Sequence, residues 1–185
     1  HAVGIDINGE MPGFMPDGTH REWYLGDDFI SGIGQGDILA TPLQVNNMMT
    51  YFANGGILYK PKIAHIIDGV GDIGNSVVQR DVVDSAHYDV IRKGINSAVE
   101  PGGTGWPLFD FAQRHVGMRL AGKTGTSEFT APDGEEKTHA WFSIFGPYFD
   151  AEVRQANMTS EDRPIVVTVF LEGGGGGSDD AAPLA

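Results

Sequence analysis

The sequence predicts an α+β domain in which an antiparallel sheet is flanked by helices. Two segments with helical periodicity come first, at residues 41–54 and 85–99. Three apolar segments joined by polar loops follow, at residues 117–126, 139–148 and 163–174. Separate runs of helices and strands are typical of this fold class. We expect the last three strands to form an antiparallel meander.

Composition narrows the classes of function. The 185 residues contain 41% hydrophobic and 20% charged residues, which is ordinary for a globular domain. A net charge of −13 argues against nucleic acid as a partner, because phosphate binding needs clustered Lys and Arg. The absence of cysteine excludes disulfides, thiolate chemistry and cysteine-type zinc sites. Residues 1–36 are rich in Gly, Pro and Asp, so we expect loops with little regular structure there.

The first helix has clear start and stop signals. Thr41 suits the N-cap, Pro42 suits the first helical position, and Gln44 completes a capping box. The Asn-Gly-Gly sequence at 54–56 ends the helix. The side chains that we expect on its apolar face are Leu43, Met48, Met49 and Phe52.

The second helix is predicted over residues 85–99, where apolar residues recur at steps of three and four. These residues are Tyr88, Ile91, Ile95 and Ala98. Pro-Gly-Gly at 101–103 ends the helix. The segments at 56–70 and 76–83, on either side of a polar stretch, are predicted to be short strands or the arms of a hairpin.

The last apolar segment has two features that affect the fold. Residues 165–171 are almost continuously apolar and rich in β-branched side chains, which predicts a strand buried on both faces. The glycine-rich run at 173–178 has the composition of a flexible linker. Its position after a strand equally favours a close-packed strand-to-helix turn with Ser178 as the N-cap. The sequence leaves both alternatives open.

Several familiar chemical motifs are absent. Gly32, Gly34 and Gly36 resemble a dinucleotide fingerprint, but Asp37 stands one place after the last of them, where the third glycine is needed. The six histidines are scattered, which makes a metal site improbable. Ser127 is not in a Gly-x-Ser-x-Gly elbow, which excludes an α/β-hydrolase nucleophile.

The Lys-Thr-Gly-Thr sequence at 123–126 lies on a predicted strand. A lysine on a sheet edge can simply discourage edge-to-edge pairing. Thr124 and Thr126, however, flank Gly125, which has no side chain, so a ligand could approach the backbone closely. Lys-Thr-Gly is also a motif of penicillin-binding proteins and serine β-lactamases. The triplet alone is weak evidence, since three common residues recur by chance.

Further segments strengthen this similarity. In order along the chain they are GIDINGEMPGFMP, GIGQGDILATPLQ, GKTGTSE, HAWFSIFGP and GGGGGSDDAAP. This arrangement resembles class B penicillin-binding proteins, most of all the elongation transpeptidases, over nearly all of the chain. The resemblance implies a partial penicillin-binding/serine β-lactamase-like transpeptidase fold. The chain lacks an initiator Met, and we expect residues 1–185 to be the C-terminal portion of one transpeptidase domain, truncated at both ends.

The resemblance also implies roles for the motif residues. Lys123 would supply positive charge and organise the proton relay, and the Thr126 N–H would be an oxyanion-hole donor, so both are candidate catalytic residues. The Thr124 and Thr126 hydroxyls would hold the terminal carboxylate of a D-Ala-D-Ala stem peptide or of a β-lactam. Gly125 would leave room for the substrate backbone, and Ser127 belongs to the same substrate-binding stretch.

The family needs a Ser-x-x-Lys nucleophile and a Ser-x-Asn element, and this chain has neither. The eight serines that fail both patterns are Ser31, Ser76, Ser85, Ser97, Ser127, Ser143, Ser160 and Ser178. We expect the nucleophile to lie upstream, and the chain alone to be inactive because no acyl-enzyme forms without it. A non-catalytic, penicillin-recognising sensor domain is the alternative, and a β-lactamase ranks third.

The resemblance implies a setting as well. The parent would be anchored in the bacterial inner membrane with its catalytic domain on the periplasmic or extracellular side. Its partners would be a polymerising glycosyltransferase and the elongation machinery, and no cofactor or metal is implied. If the nucleophile-bearing helix normally packs on this sheet, we expect Trp141, Phe142 and Phe145 to lose packing partners in this chain.

Overall fold

A computed structural model of the chain describes residues 2–19, 21–64, 76–115, 118–148 and 163–185. The helices are α1 (Leu25–Gly32), α2 (Pro42–Asn54), α3 (Ser85–Ser97) and α4 (Phe111–Arg114). The strands are β1 (Ile57–Lys60), β2 (Ser76–Arg80), β3 (Ala121–Thr130), β4 (Glu136–Gly146) and β5 (Ile165–Leu171). Short 3-10 turns span Trp106–Leu108 and Ala182–Leu184, and Gly177–Ala181 is wound as a π-helix. Among the described helices, none is long and apolar enough to cross a bilayer.

The last three strands form an antiparallel sheet in the order β3-β4-β5, which confirms the predicted meander. Lys123 is opposite Ser143 and Thr126 is opposite Ala140 in the β3–β4 register. Because β4 is central, β3 is an outer strand of this sheet within the described residues. The predicted hairpin is confirmed as an antiparallel β1–β2 pair, although part of its first arm, residues 65–70, lies outside the described residues.

Helix α2 begins and ends as its local sequence predicts. The Thr41 hydroxyl accepts from the Gln44 N–H at 3.2 Å, and the Gln44 side chain accepts from the Thr41 N–H at 2.8 Å. Gly55 ends the helix with a φ of 94°, a conformation that glycine adopts without strain. Met49 and Phe52 are buried, but the prediction for Met48 is wrong, because 52% of it is exposed.

The core lies on both faces of β4, because successive side chains of a strand point to opposite faces. Phe145 packs with Met49, Phe52 and other residues of α2 and α3 on one face. Phe142 packs on the other face against the C-terminal turns. The expectation that these phenylalanines lose packing partners is therefore wrong, since Phe142 is fully buried and Phe145 is 1% exposed.

Two further expectations need correction. Residues 1–36 are not all loop, because α1 spans Leu25–Gly32. Gly26 and Gly32 lower its helix propensity and masked the helical spacing of its apolar residues, none of which is buried. The expected full burial of β5 is also wrong, since Ile165 is 72% exposed. The C-terminal turns cover this face only towards the other end of β5, where Val169 and Leu171 pack.

Candidate active site

The Lys-Thr-Gly-Thr sequence lies near the start of β3, on an outer strand of the sheet. Side chains alternate along a strand, so Thr124 and Thr126 share one face. Lys123 and Ser127 share the other face with Gly125. The structure therefore brings the five predicted site residues onto one strand but divides their side chains between its two faces.

The backbone of β3 presents hydrogen-bonding groups at its outer edge. Two side chains donate to its carbonyls, Lys123 to Thr124 at 2.6 Å and Gln35 to Thr126 at 3.0 Å, and Asn96 donates to Leu120, just before the strand, at 2.8 Å. The acceptors are alternate residues, as expected for carbonyls that point away from β4. In an antiparallel strand the N–H of a residue points the same way as its C=O. The N–H groups of Thr124 and Thr126 consequently point to this edge as well.

The Thr124 hydroxyl is buried and has a side-chain partner that sequence reasoning missed. Its Oγ1 lies 2.7 Å from the Oγ1 of Thr104, and Thr124 is only 9% exposed. Thr104 follows the Pro-Gly-Gly turn after α3. No motif marks Thr104, because the contact depends on how this turn is placed against β3.

The Thr126 hydroxyl is held by the glycine-rich run. It accepts a hydrogen bond from the Gly177 N–H at 3.2 Å. A Cβ at Gly177 would collide with the carbonyl oxygens of Gly125 and Trp141, so only glycine fits there. The close-packed turn is therefore confirmed and the flexible linker is wrong. Ser178 is not the N-cap, because Gly176 occupies that position.

The Lys123 side chain lines an open groove of about 720 Å³. The C-terminal half of α3 and residues 100–104 form the rest of the lining. The lysine is exposed, and its ammonium donates to the carbonyl of Thr124. A positive charge thus lies beside the outer edge of β3, where it favours a carboxylate or a developing oxyanion.

Gly125 and Ser127 both contact Trp141. Gly125 is directly opposite this tryptophan in the register, and a Cβ at Gly125 would come within 3.2 Å of the Trp141 Cβ. The Trp141 indole N–H donates to the Ser127 hydroxyl at 3.1 Å. Cross-strand packing alone therefore favours glycine at 125, because a larger residue would have to displace Trp141. That a substrate lies against Gly125 or Ser127 stays a prediction.

This arrangement suits an extended peptide that ends in a carboxylate. Outward N–H and C=O groups can pair with an added strand, as in β-augmentation. The two threonine hydroxyls and the lysine supply hydrogen bonds and positive charge for a carboxylate. Within the described residues, no three His, Asp or Glu side chains group closely enough to hold a metal ion.

The comparison with known families identifies the class of protein. Residues 1–176 match the family described as the penicillin binding protein transpeptidase domain. The chain belongs to this family, and the resemblance noted in its sequence is confirmed.

Individual relatives show which members of the family the chain is similar to. The chain is 34% identical over 206 residues to the peptidoglycan D,D-transpeptidase MrdA of Haemophilus influenzae, covering 99% of this chain and 29% of that protein. It is 28% identical over 191 residues to MrdA of Escherichia coli K12, covering 96% of this chain and 29% of that protein. The chain thus spans less than a third of the length of these relatives.

Solved structures agree with this fold. Penicillin-binding protein 2 (PBP2) of Pseudomonas aeruginosa, in complex with WCK 5153, aligns with a TM-score of 0.74 at 29% identity. That alignment covers 98% of this chain and 38% of the other. PBP2 of Helicobacter pylori, in a complex with MreC, aligns with a TM-score of 0.68 at 28% identity, covering 100% of this chain and 32% of the other. The α+β transpeptidase fold is confirmed.

Proposed function

We propose that this chain is the substrate-recognising part of a peptidoglycan D,D-transpeptidase. The full-length protein cross-links stem peptides through a serine acyl-enzyme and is acylated by β-lactams. One observation carries the proposal: Lys123–Thr126 lies on an outer edge of β3, where backbone N–H and C=O groups face outward beside the groove. The name of the relatives, D,D-transpeptidase, supports the reaction.

The hydroxyls of the motif keep donors for a carboxylate. A hydroxyl has one proton and two acceptor lone pairs. Because Thr126 accepts from Gly177, its own O–H is left to donate to the ligand. Either hydroxyl of the Thr104–Thr124 pair can be the donor, and when Thr104 donates, the O–H of Thr124 is left for the ligand. We therefore assign Thr124 and Thr126 to the carboxylate of D-Ala-D-Ala or of a β-lactam.

The backbone and the lysine act on the reacting carbonyl. The outward Thr126 N–H is assigned as one oxyanion donor, a contact that typically contributes about 10²–10³ in rate. Lys123 places positive charge where the nucleophile loses its proton. The serine and its base come from the part of the full-length protein outside residues 1–185, and we place their approach in the groove between α3 and Lys123. This chain alone is therefore inactive.

The relatives also suggest the cellular setting. One aligned structure, at a TM-score of 0.76 and 29% identity, is of a peptidoglycan synthase complex that coordinates polymerisation and crosslinking, and it covers 99% of this chain and 29% of the other. By this similarity and that to the MreC complex, we assign a glycan-polymerising enzyme and the elongation machinery as partners of the full-length protein. We also propose that the full-length protein is anchored in the inner membrane with this domain on the periplasmic or extracellular side. Membrane fractionation and protease protection test this location.

Intact mass after incubation with benzylpenicillin tests the proposal. The full-length protein should gain one covalent penicilloyl group, and residues 1–185 alone should gain none. An adduct on the short chain would contradict the assignment of the nucleophile. No adduct on either folded protein would favour the non-catalytic sensor domain. An adduct that hydrolyses rapidly would favour a β-lactamase.

Substitution of the lysine tests its role in the full-length protein. Lys123→Ala should lower the second-order rate of acylation by benzylpenicillin by about 10²–10⁴, the range typical for losing a proton-transfer group. Lys60→Ala is the control, because Lys60 is an exposed residue at the end of β1 and does not line the groove. Similar losses in both variants would contradict the role of Lys123.

A further inference from the structure

Gln35 reaches the candidate site from a distant part of the chain. Its side-chain amide donates to the Thr126 carbonyl oxygen at 3.0 Å, across a separation of 91 residues. Gln35 follows α1 and is half-buried. Gln35 takes no part in the proposed reaction, yet it contacts the residue on which the proposed oxyanion donor lies.

The backbone of residues 34–36 has a defined conformation that fixes the position of Gln35. Gly34 and Gly36 have φ values of 77° and 82°, which favour glycine. A Cβ at Gly36 would lie 2.9 Å from the Ile30 side chain. The Gln35 N–H donates to the Ile30 carbonyl at 3.1 Å, which fixes the backbone at the end of α1.

Ion pairs of Arg21 also stabilise the loop that carries Gln35. The Arg21 guanidinium contacts Asp27 at 2.7 Å and Asp37 at 2.8 Å, and so connects the first turn of α1 with the residue after Gly36. Gln35 is thus presented to β3 by a loop that is anchored at both ends.

The Thr126 carbonyl is the acceptor that an extended ligand needs. A peptide that pairs with an outer strand donates its own N–H groups to the outward carbonyls. The Gln35 amide occupies this acceptor when no ligand is bound. A carbonyl oxygen has two lone pairs, but the Gln35 amide lies at the outer edge of β3, where the N–H of an added strand must also approach. The two donors therefore compete for the same space beside Thr126, whereas a ligand without such a donor is not affected.

We infer that Gln35 is a specificity-determining residue that competes with the ligand for the Thr126 carbonyl. This inference rests on the proposed function. Because one neutral hydrogen bond is exchanged, the effect on ligands with an N–H donor should be about three- to tenfold. Removal of the amide should raise their rate of acylation and leave ligands without the donor unchanged.

The test uses the full-length protein with two β-lactams that share one ring system. Benzylpenicillin has an acylamino N–H beside its lactam carbonyl, and penicillanic acid lacks that group. Gln35→Met keeps the length of the side chain and removes the donor. We expect it to raise the second-order acylation rate of benzylpenicillin about three- to tenfold. The acylation rate of penicillanic acid should change by less than about twofold. An almost unchanged rate with this compound also shows that the site is intact in the variant.

Gln79→Met is the matched control, because Gln79 is exposed on β2 and does not line the groove. It should change neither rate. Equal loss of both rates in Gln35→Met would show that Gln35 only supports β3 and would overturn the inference. Unchanged rates would overturn it as well. If the unsubstituted protein reacts with neither compound, the proposed function is wrong and the inference falls with it. If it reacts with both but Gln35→Met has no selective effect, only the inference is wrong.

Discussion

Thr126 connects three separate parts of the chain at a single residue. Its carbonyl binds Gln35 after α1, and its hydroxyl binds Gly177 after β5. Its own strand orients its N–H towards the outer edge of β3. Because an oxyanion donor acts only when it is held in position before the reaction, the Gly177 contact and the pairing of β3 with β4 matter as much as the identity of the residue.

Replacing Gly177 by alanine should destabilise the chain. Gly177→Ala forces a methyl group against the backbone oxygens of Gly125 and Trp141, which cannot rotate away as a side chain could. Overpacking of this kind costs about 1–3 kcal/mol in the free energy of unfolding. Urea denaturation of the chain measures this loss, and in the full-length protein slower acylation should accompany it as Thr126 shifts.

Gly94→Ala is the matched substitution. Gly94 lies inside α3, and nothing lies within 4 Å of a Cβ added there. Alanine favours a helix interior over glycine by about 0.8–1.0 kcal/mol. Gly94→Ala should therefore raise stability, and a similar effect of Gly177→Ala would contradict the close packing of the glycine-rich run.

At the scale of elements, the position of α1 depends on charge. The Arg21 guanidinium hydrogen-bonds the Asp27 carboxylate, which also accepts from the Tyr24 N–H, and the pKa of Asp27 is lowered from 3.8 to about 2. The hydrogen bonds of Arg21 to Asp27 and, next, to Asp37 raise the pKa of its guanidinium. These charges fix the start of α1 and the loop that carries Gln35.

Stability should therefore fall in acid through Asp27. Its pKa is lower in the folded than in the unfolded chain, so its contribution is fully present above about pH 4 and is lost as the pH falls towards about 2. Carbon-detected NMR titration of the Asp27 carboxyl measures its pKa directly. In Arg21→Gln that pKa should return towards its ordinary value of 3.8. An unchanged pKa in this variant would contradict the ion pair.

At the scale of the whole molecule, β4 joins the two halves of the core. Phe145 packs towards α2 and α3, whereas Phe142 packs towards the C-terminal turns. Because β4 pairs with β3 along Ala121–Thr130, a loss of packing on either face of β4 should also shift β3. The site is thus held by packing on both sides of the sheet.

Phe142→Ala should be strongly destabilising. Removal of a fully buried phenylalanine leaves a cavity and costs about 3–5 kcal/mol. Val78→Ala is the control, because Val78 on β2 is 59% exposed and such surface changes stay within about 0.5 kcal/mol. Urea denaturation of both variants compares the two losses. A cost for Phe142→Ala as small as that of Val78→Ala would contradict the packing of β4.

Local signals in the sequence determined much of the fold. The capping box of Thr41 and Gln44 involves neighbouring residues, so α2 was predicted with the correct ends. The apolar segments predicted the meander, and the motifs predicted the family. These features depend on residues close in sequence or on a recurring motif, and both can be read along the chain.

The tertiary structure alone decided which groups meet at the site. The Thr104–Thr124, Gly177–Thr126 and Gln35–Thr126 contacts span 20, 51 and 91 residues. Gln35 and Gly177 lie in segments that resemble the family, but nothing in those segments indicates that they contact Thr126. Hydrogen bonds across such separations depend on how loops pack against β3. Burial also depended on long-range packing. The sequence of β5 is almost continuously apolar, yet Ile165 is exposed. The C-terminal turns cover the face of β5 that carries Ile165 only at the other end of the strand. Local sequence therefore specifies the elements and the motif on β3, whereas long-range packing sets which groups they contact.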